Sequence, residues 1–143
     1  MLRGIPSILS PELLKILMEM GHGDEIVLAD GNFPSASCAE RLIRCDGHGV
    51  VELLDAILKF FPLDTFVQQP VALMEVVAGD HYIPEIWESF RNSINKYRDI
   101  PIEFEFIERH EFYKRTRKAY AVVATSESAR YANIILKKGI IGD

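Results

Sequence analysis

The segment Gly21-His22-Gly23-Asp24-Glu25 concentrates groups that could move a proton. An imidazole titrates close to neutral pH, so a loop histidine can both give and take a proton there. Glycines on either side keep bulk away from His22 and favour a ring that faces a ligand rather than a core. A solvated loop histidine is the plainer reading of the same residues. Asp30 follows a short apolar run, just past the carboxyl end of a predicted strand, where open α/β sheets place their ligand crevices. An aspartate that merely opens an Asx-turn competes with that role. A strand of about five residues holds its two flanking loops ~16 Å apart. His22 and Asp30 therefore share a pocket only if the chain doubles back or a second subunit completes the site.

A second constellation lies toward the C-terminus, with Arg109 after the Glu103–Ile107 segment, Tyr120, and the loop from Thr125 to Asn133. That loop is rich in groups that hydrogen-bond hydroxyls, and Tyr131 and Asn133 bracket Ala132. A ligand could meet both side chains or the backbone between them; a surface loop with a packed tyrosine is the alternative. A solvated charge is the default for Arg109, and Lys137-Lys138-Gly139 reads as a solvated tail. Cys38 and Cys45 are too far apart for CxxC redox chemistry and read as small hydrophobes. His48 and His81 sit among polar turn residues with no partner at ligand spacing, so no metal site is expected. GxGxxG, Walker, GxSxG and HExxH patterns are all missing, which leaves nucleotide cofactors, serine hydrolysis and zinc proteolysis without support.

The elements that must position these residues alternate in type. Ser10-Pro11-Glu12 opens a helix through a side-chain cap and a proline at its first position, with Leu13, Leu14, Leu17 and Met18 on one face and Gly21 as the stop. Glu25–Ala29 reads as a strand and Arg41–Cys45 as a second. A helix follows over Val50–Phe61, and the nearly unbroken apolar run Val71–Val77 reads as a buried central strand. Pro84 opens a helix to Lys96, and Ile102–Ile107 alternates with period two. A short helix over Glu111–Lys118 and strands at Tyr120–Ala124 and Asn133–Leu136 complete the pattern. Helices alternating with strands indicate a layered α/β/α domain around a central sheet, one domain spanning residues 1–143.

Composition sets the outer limits. The chain has 143 residues, 48% hydrophobic and 26% charged, with only 9 Gly and 7 Pro, which excludes disorder and collagen-like repetition. A net charge of -5 argues against a nucleic-acid partner. No apolar run approaches the ~20 residues of a membrane span, and no signal peptide is evident, so a cytoplasmic protein is expected.

Ser10-Pro-Glu-Leu-Leu-Lys15, Glu19-Met-Gly-His-Gly-Asp-Glu-Ile26, Ala29-Asp30 with Phe33-Pro34, Tyr131-Ala-Asn-Ile-Ile-Leu136 and Lys137-Lys-Gly139 together resemble the fucose branch of the ribose pyranase/fucose mutarotase family. The resemblance covers essentially the whole chain. It implies an isomerase that interconverts the α and β anomers of L-fucose without metal or organic cofactor. It implies a homo-oligomer, commonly a decamer of two stacked pentamers, with sites near subunit contacts. It places the catalytic histidine on His22 and substrate binding on Asp30, Arg109 and Tyr131-Ala132-Asn133, with Tyr120 at a position that is aromatic in fucose-type members. Arg109 stands where ribose-type members tend to carry histidine, while Gly31 and Asn32 replace the alanine and histidine of relatives. The rival reading is a non-catalytic monosaccharide-binding or transport-accessory protein; a binder alone has no need of a titratable group beside the ring oxygen.

Overall fold

A computed structural model describes residues 1–142. In chain order the elements are α1 (Pro11–Glu19), β1 (Glu25–Ala29), α2 (Ser35–Cys38), β2 (Leu42–Cys45), α3 (Val50–Leu58), β3 (Val71–Met74), α4 (Ile86–Asn95), β4 (Glu105–Ile107), α5 (Arg109–Lys118), β5 (Ala121–Thr125) and β6 (Ile134–Lys137). Six strands form one sheet in the order β2-β5-β1-β6-β3-β4. β1, β5 and β2 run parallel, as do β3 and β4, while β6 is antiparallel to both β1 and β3.

The alternation of strand side chains builds two apolar layers, one on each face of the sheet. Ile26 and Leu28 of β1 pack with α1, α3 and α4 through Leu13, Leu54 and Phe90. Val27 and Ala29 point the other way, toward Cys38 of α2 and Phe112 of α5. This is the expected layered α/β/α arrangement. Ser10 caps α1 by accepting from the Leu13 N–H at 3.1 Å, with Pro11 at the first turn.

Several boundaries differ from the sequence pattern, each for a local reason. α1 ends at Glu19 because Met20 is already extended, before Gly21 is reached. α5 begins at Arg109 rather than Glu111, since the Glu108 carboxylate accepts from the His110 and Glu111 N–H groups. The alternating Ile102–Ile107 run contributes only Glu105–Ile107 to the sheet, where it pairs with Ala72–Met74 as an edge. Within it Ile102 and Phe104 are buried, whereas Phe106 stays half exposed against the Trp87 ring. The Lys137–Gly139 segment is no solvated tail. Lys137 ends β6, and Lys138 Nζ donates to the carbonyls of Leu17 and Met20, closing the free end of α1. Among the described residues no helix is long and apolar enough to cross a membrane.

Candidate functional site

β1 separates two chemically different regions. At its amino end, His22 stands in the turn between α1 and β1. Gly23 makes that turn with φ +86, a left-handed conformation that suits glycine. The turn is tied down from three sides: Gly21 N–H donates to Asp24 Oδ2 at 2.7 Å, Gly23 N–H to the Lys138 carbonyl at 2.8 Å, and Lys138 N–H to the Asp24 carbonyl at 2.8 Å. His22 Nε2 lies 3.1 Å from Asp64 Oδ1. The His22 side chain is 43% exposed while that of Asp64 is only 4% exposed. Burial pushes the Asp64 carboxyl up, but bonds from the Phe66 N–H and His22, with the charges of His22 and Lys137, outweigh it and leave the carboxyl below its usual 3.8. Asp64 is therefore an ionised acceptor, so His22 Nε2 carries the proton and Nδ1 is the ring nitrogen left to exchange one. The Phe66 ring lies 5.2 Å from the imidazole.

Asp64 reaches His22 through a main-chain arrangement. Leu63 bridges to Lys138, and the Asp64 N–H donates to the Lys137 carbonyl at 3.0 Å. Gly139 is required at this crossing, since a Cβ there would meet the Leu63 carbonyl oxygen at 2.6 Å. Around His22 lies an apolar cavity of about 490 Å³ lined by Leu17, Met20, Phe61 and Ile140. Met18, Ile140 and Ile141 at its rim are strongly exposed.

The carboxyl end of β1 carries Asp30, whose N–H donates to Asn133 Oδ1 at 2.8 Å. Asp30 Oδ1 accepts from the Asn32 N–H at 3.0 Å and Oδ2 from Asn133 Nδ2 at 3.1 Å. Burial raises the Asp30 carboxyl above its usual 3.8, and hydrogen bonds from Asn32, Asn133, Ala132 and Phe33 offset only part of that rise. A cavity of about 250 Å³ opens over it, bordered by Asn32, Met74, Arg109, Tyr113 and Tyr131. Arg109 Nε donates to the Tyr113 hydroxyl at 3.0 Å. Carboxylate, amide, guanidinium and phenol around one small concavity suit a polyhydroxylated molecule of monosaccharide size.

Tyr131 forms the wall of this pocket in an unusual backbone state, φ 57. For a residue with a Cβ that conformation costs roughly 1–2 kcal/mol, so its surroundings must hold it. Trp87 Nε1 donates to the Tyr131 carbonyl at 2.9 Å, and the Tyr131 hydroxyl donates to Asp80 Oδ2 at 2.8 Å.

The sequence candidates therefore divide. Asp30, Arg109, Tyr131 and Asn133 converge on the smaller cavity. Ala132 is fully buried in the layer beneath α1, α3 and α4, leaving its backbone between Tyr131 and Asn133. His22 stands at the opposite end of β1, and the chain does not double back to join it to Asp30. Tyr120 is also at the His22 end, with its N–H on the Glu25 carbonyl, its hydroxyl on Glu19 and the Arg41 guanidinium 4.1 Å over its ring. It joins neither cavity. Sequence reasoning missed Asp64, Tyr113 and Asp80. Asp64 and Asp80 meet their partners only through contacts 42 and 51 residues apart. Tyr113 had a signal, because it falls four residues after Arg109 on one helix face.

A family model described as the RbsD / FucU transport protein family matches residues 3–141. Human fucose mutarotase is 48% identical, covering 98% of this chain and 94% of its own. An L-fucose mutarotase of Actinobacillus pleuropneumoniae serotype 5b is also 48% identical, covering 98% of this chain and 97% of its own. The crystal structure of the Streptococcus pneumoniae fucose mutarotase in complex with L-fucose superposes with a TM-score of 0.94 at 55% identity, covering 99% of this chain and 100% of that one.

Proposed function

The chain belongs to the RbsD / FucU transport protein family, and from that premise we propose a site for its chemistry that two copies of the chain assemble. The protein is an isomerase that interconverts the α and β anomers of L-fucose, as its relatives' names and full-length similarity indicate. The observation that carries the site reading is the separation along β1. A histidine paired with a buried carboxylate stands at one end, and a sugar-sized polar pocket lies at the other.

Ring opening removes the proton of the anomeric hydroxyl, protonates the ring oxygen and breaks the bond between C1 and that oxygen, forming the aldehyde. Rotation and reclosure on the other carbonyl face give the second anomer. Protonated on both ring nitrogens, His22 donates from Nδ1 to the ring oxygen and recovers that proton on reclosure. A water takes the proton of the anomeric hydroxyl and returns it to the carbonyl oxygen. The Asp64 carboxylate holds Nε2–H and the ring orientation. Asp30 and Asn133 hold sugar hydroxyls on the floor of the pocket, Arg109 and Tyr131 hold them at the wall, and the Ala132 backbone lies between. Selectivity follows from donors and acceptors left unpaired by the wrong epimer. The apolar rim around His22, with Met18, Ile140 and Ile141 exposed, is the face that a second copy covers when it brings its own pocket to this histidine. A closed ring of such contacts is the assembly in which every site is completed, with a decamer of two pentamers as its form. Residues 1–143 act in it as one domain, and Tyr120 supports the turn and helix next to His22 rather than the sugar.

Complementation tests the reading. At sugar concentrations well below KM, His22→Ala alone is expected to lose about 10²-fold or more of the exchange and Asp30→Asn alone about tenfold or more. Expressed together in equal amounts, they rebuild complete sites at about a quarter of the wild-type number, because symmetric assembly pairs an intact His22 with an intact Asp30. Saturation-transfer NMR of L-fucose reads the recovered exchange. Mixed oligomers with no exchange above either single variant would rule out a shared site.

A further inference from the structure

We propose that Asp80 is a positioning residue of the sugar pocket, clamping Tyr131 and Arg130 so that the 126–133 loop presents a fixed wall opposite Asp30. This rests on the reading of that pocket as the L-fucose site. The clamp is built from the turn that carries Asp80. Gly79 makes the turn with φ +87, and Asp80 N–H donates to the Val77 carbonyl at 3.0 Å. Asp80 Oδ1 accepts from the Tyr82 N–H at 3.0 Å, which fixes the carboxylate within its own turn. Oδ2 is left to reach across to the other loop, where it accepts from the Tyr131 hydroxyl at 2.8 Å and from Arg130 Nη2. The Arg130 guanidinium lies 4.7 Å over the Tyr82 ring, which itself stacks on Tyr131 with centroids 6.0 Å apart. Val77 N–H donates to the Tyr131 oxygen at 3.3 Å, and Val77 also borders the cavity.

This arrangement decides what Tyr131 offers a ligand. A phenol has one proton, and here that proton goes to Asp80. Toward the sugar, Tyr131 therefore has no proton to give and offers the acceptor capacity that Val77 N–H leaves free on its oxygen, strengthened by the carboxylate that polarises its hydroxyl. It selects a sugar hydroxyl that donates. The same carboxylate offsets the charge of Arg130 at the pocket mouth. Asp80 does this without bordering the cavity itself. It acts on binding through Tyr131, while this chain's own His22 and Asp64 lie at the far end of β1.

The test is a double-mutant cycle on the full-length protein, read by L-fucose exchange at varied sugar concentration. Asp80→Ala is expected to raise KM about tenfold and to leave kcat within about threefold, the size of effect set by a lost charged hydrogen bond. In a Tyr131→Phe background the same substitution is expected to change KM less than about twofold, because the group it works through is gone. Asp80→Asn keeps an acceptor for the phenol and is expected to lose only about threefold. It replaces Asp80→Ala in the cycle if the alanine variant does not fold. An equal rise in KM in both backgrounds, or a fall in kcat at unchanged KM, overturns the clamp. If Tyr131→Phe raises KM and Asp80→Ala does not, the clamp fails and the pocket assignment stands. If Tyr131→Phe and Asp30→Asn both leave KM unchanged, the pocket assignment falls and takes the clamp with it.

Discussion

Asp64 and Asp30 are both hidden from solvent, at 3% and 6% exposed, and their surroundings tune them in opposite directions, with desolvation weighing more heavily on Asp30. Asp64 faces an imidazole and lies near Lys137, so its charge is favoured despite burial. Asp30 is surrounded by neutral donors, the Asn133 amide and backbone N–H groups, and burial prevails. Ionisation here follows desolvation and partners together: Asp64 has cationic partners, and Asp30 has neutral ones in a more desolvated place. One end of β1 holds a carboxylate whose charge is favoured beside an imidazole, and the other holds a buried carboxyl in a network of neutral donors. The two ends should therefore fail differently when perturbed.

The largest difference is expected from His22→Ala. Catalysed anomer exchange should fall by about 10²-fold or more, while calorimetric affinity for L-fucose changes only a few-fold. Wild-type exchange in saturation-transfer NMR would remove His22 from the mechanism. Asp30→Asn should do the reverse to binding, weakening L-fucose affinity by about tenfold or more while thermal stability stays close to wild type. Unchanged affinity would detach Asp30 from the sugar.

Gly139→Ala sharpens the contrast from the edge of the His22 cavity. Its Cβ would press on the Leu63 carbonyl and on Asp64 Cα, at 2.6 and 2.9 Å, so the strand crossing must shift. A loss of about 1–3 kcal/mol in stability is expected. Exchange should drop while sugar affinity is kept, and a matching loss of affinity would show that the two ends are not independent.

The smallest effect is a dependence on pH. Folding favours protonated Asp30, a preference fully present below pH 3.8 that is lost as pH rises through the raised folded value. Folding favours ionised Asp64, a contribution present above pH 3.8 and lost as pH falls through the lowered folded value. On acidification the wild type should first gain stability relative to Asp30→Asn and then, at lower pH, lose it relative to Asp64→Asn. Denaturant midpoints across the acid range measure both slopes, and parallel slopes for the two variants would contradict the opposed tuning.

What the sequence disclosed follows the range of the interactions involved. α1 was legible because a serine cap, a proline and apolar residues at helical spacing are all local signals. α2 was not, since four residues are too few to show a period. The alternation over Ile102–Ile107 is real, but strand status needs a partner, and β3 offers pairing only from Ala72 to Met74. Lys138 looked solvated because a lysine pair before glycine resembles a surface end. Its partners at Leu17 and Met20 lie 121 and 118 residues away. Among the candidate residues, the strand length already implied that His22 and Asp30 stand apart, and the structure keeps them apart. Asp64 and Asp80 carry no motif, because each meets His22 or Tyr131 only where two distant loops cross.

The antiparallel pair β1–β6 ties these loops together. Its register runs from Glu25 opposite Lys137 to Leu28 opposite Ile134, so Lys138 anchors the His22 turn at one end and Asn133 anchors Asp30 at the other. The ladder serves as a gauge block of fixed length. Pocket walls such as Val77 and Arg130 hang from loops outside it. Substitutions there can retune ligand choice over evolutionary time while the proton-handling end stays in calibration.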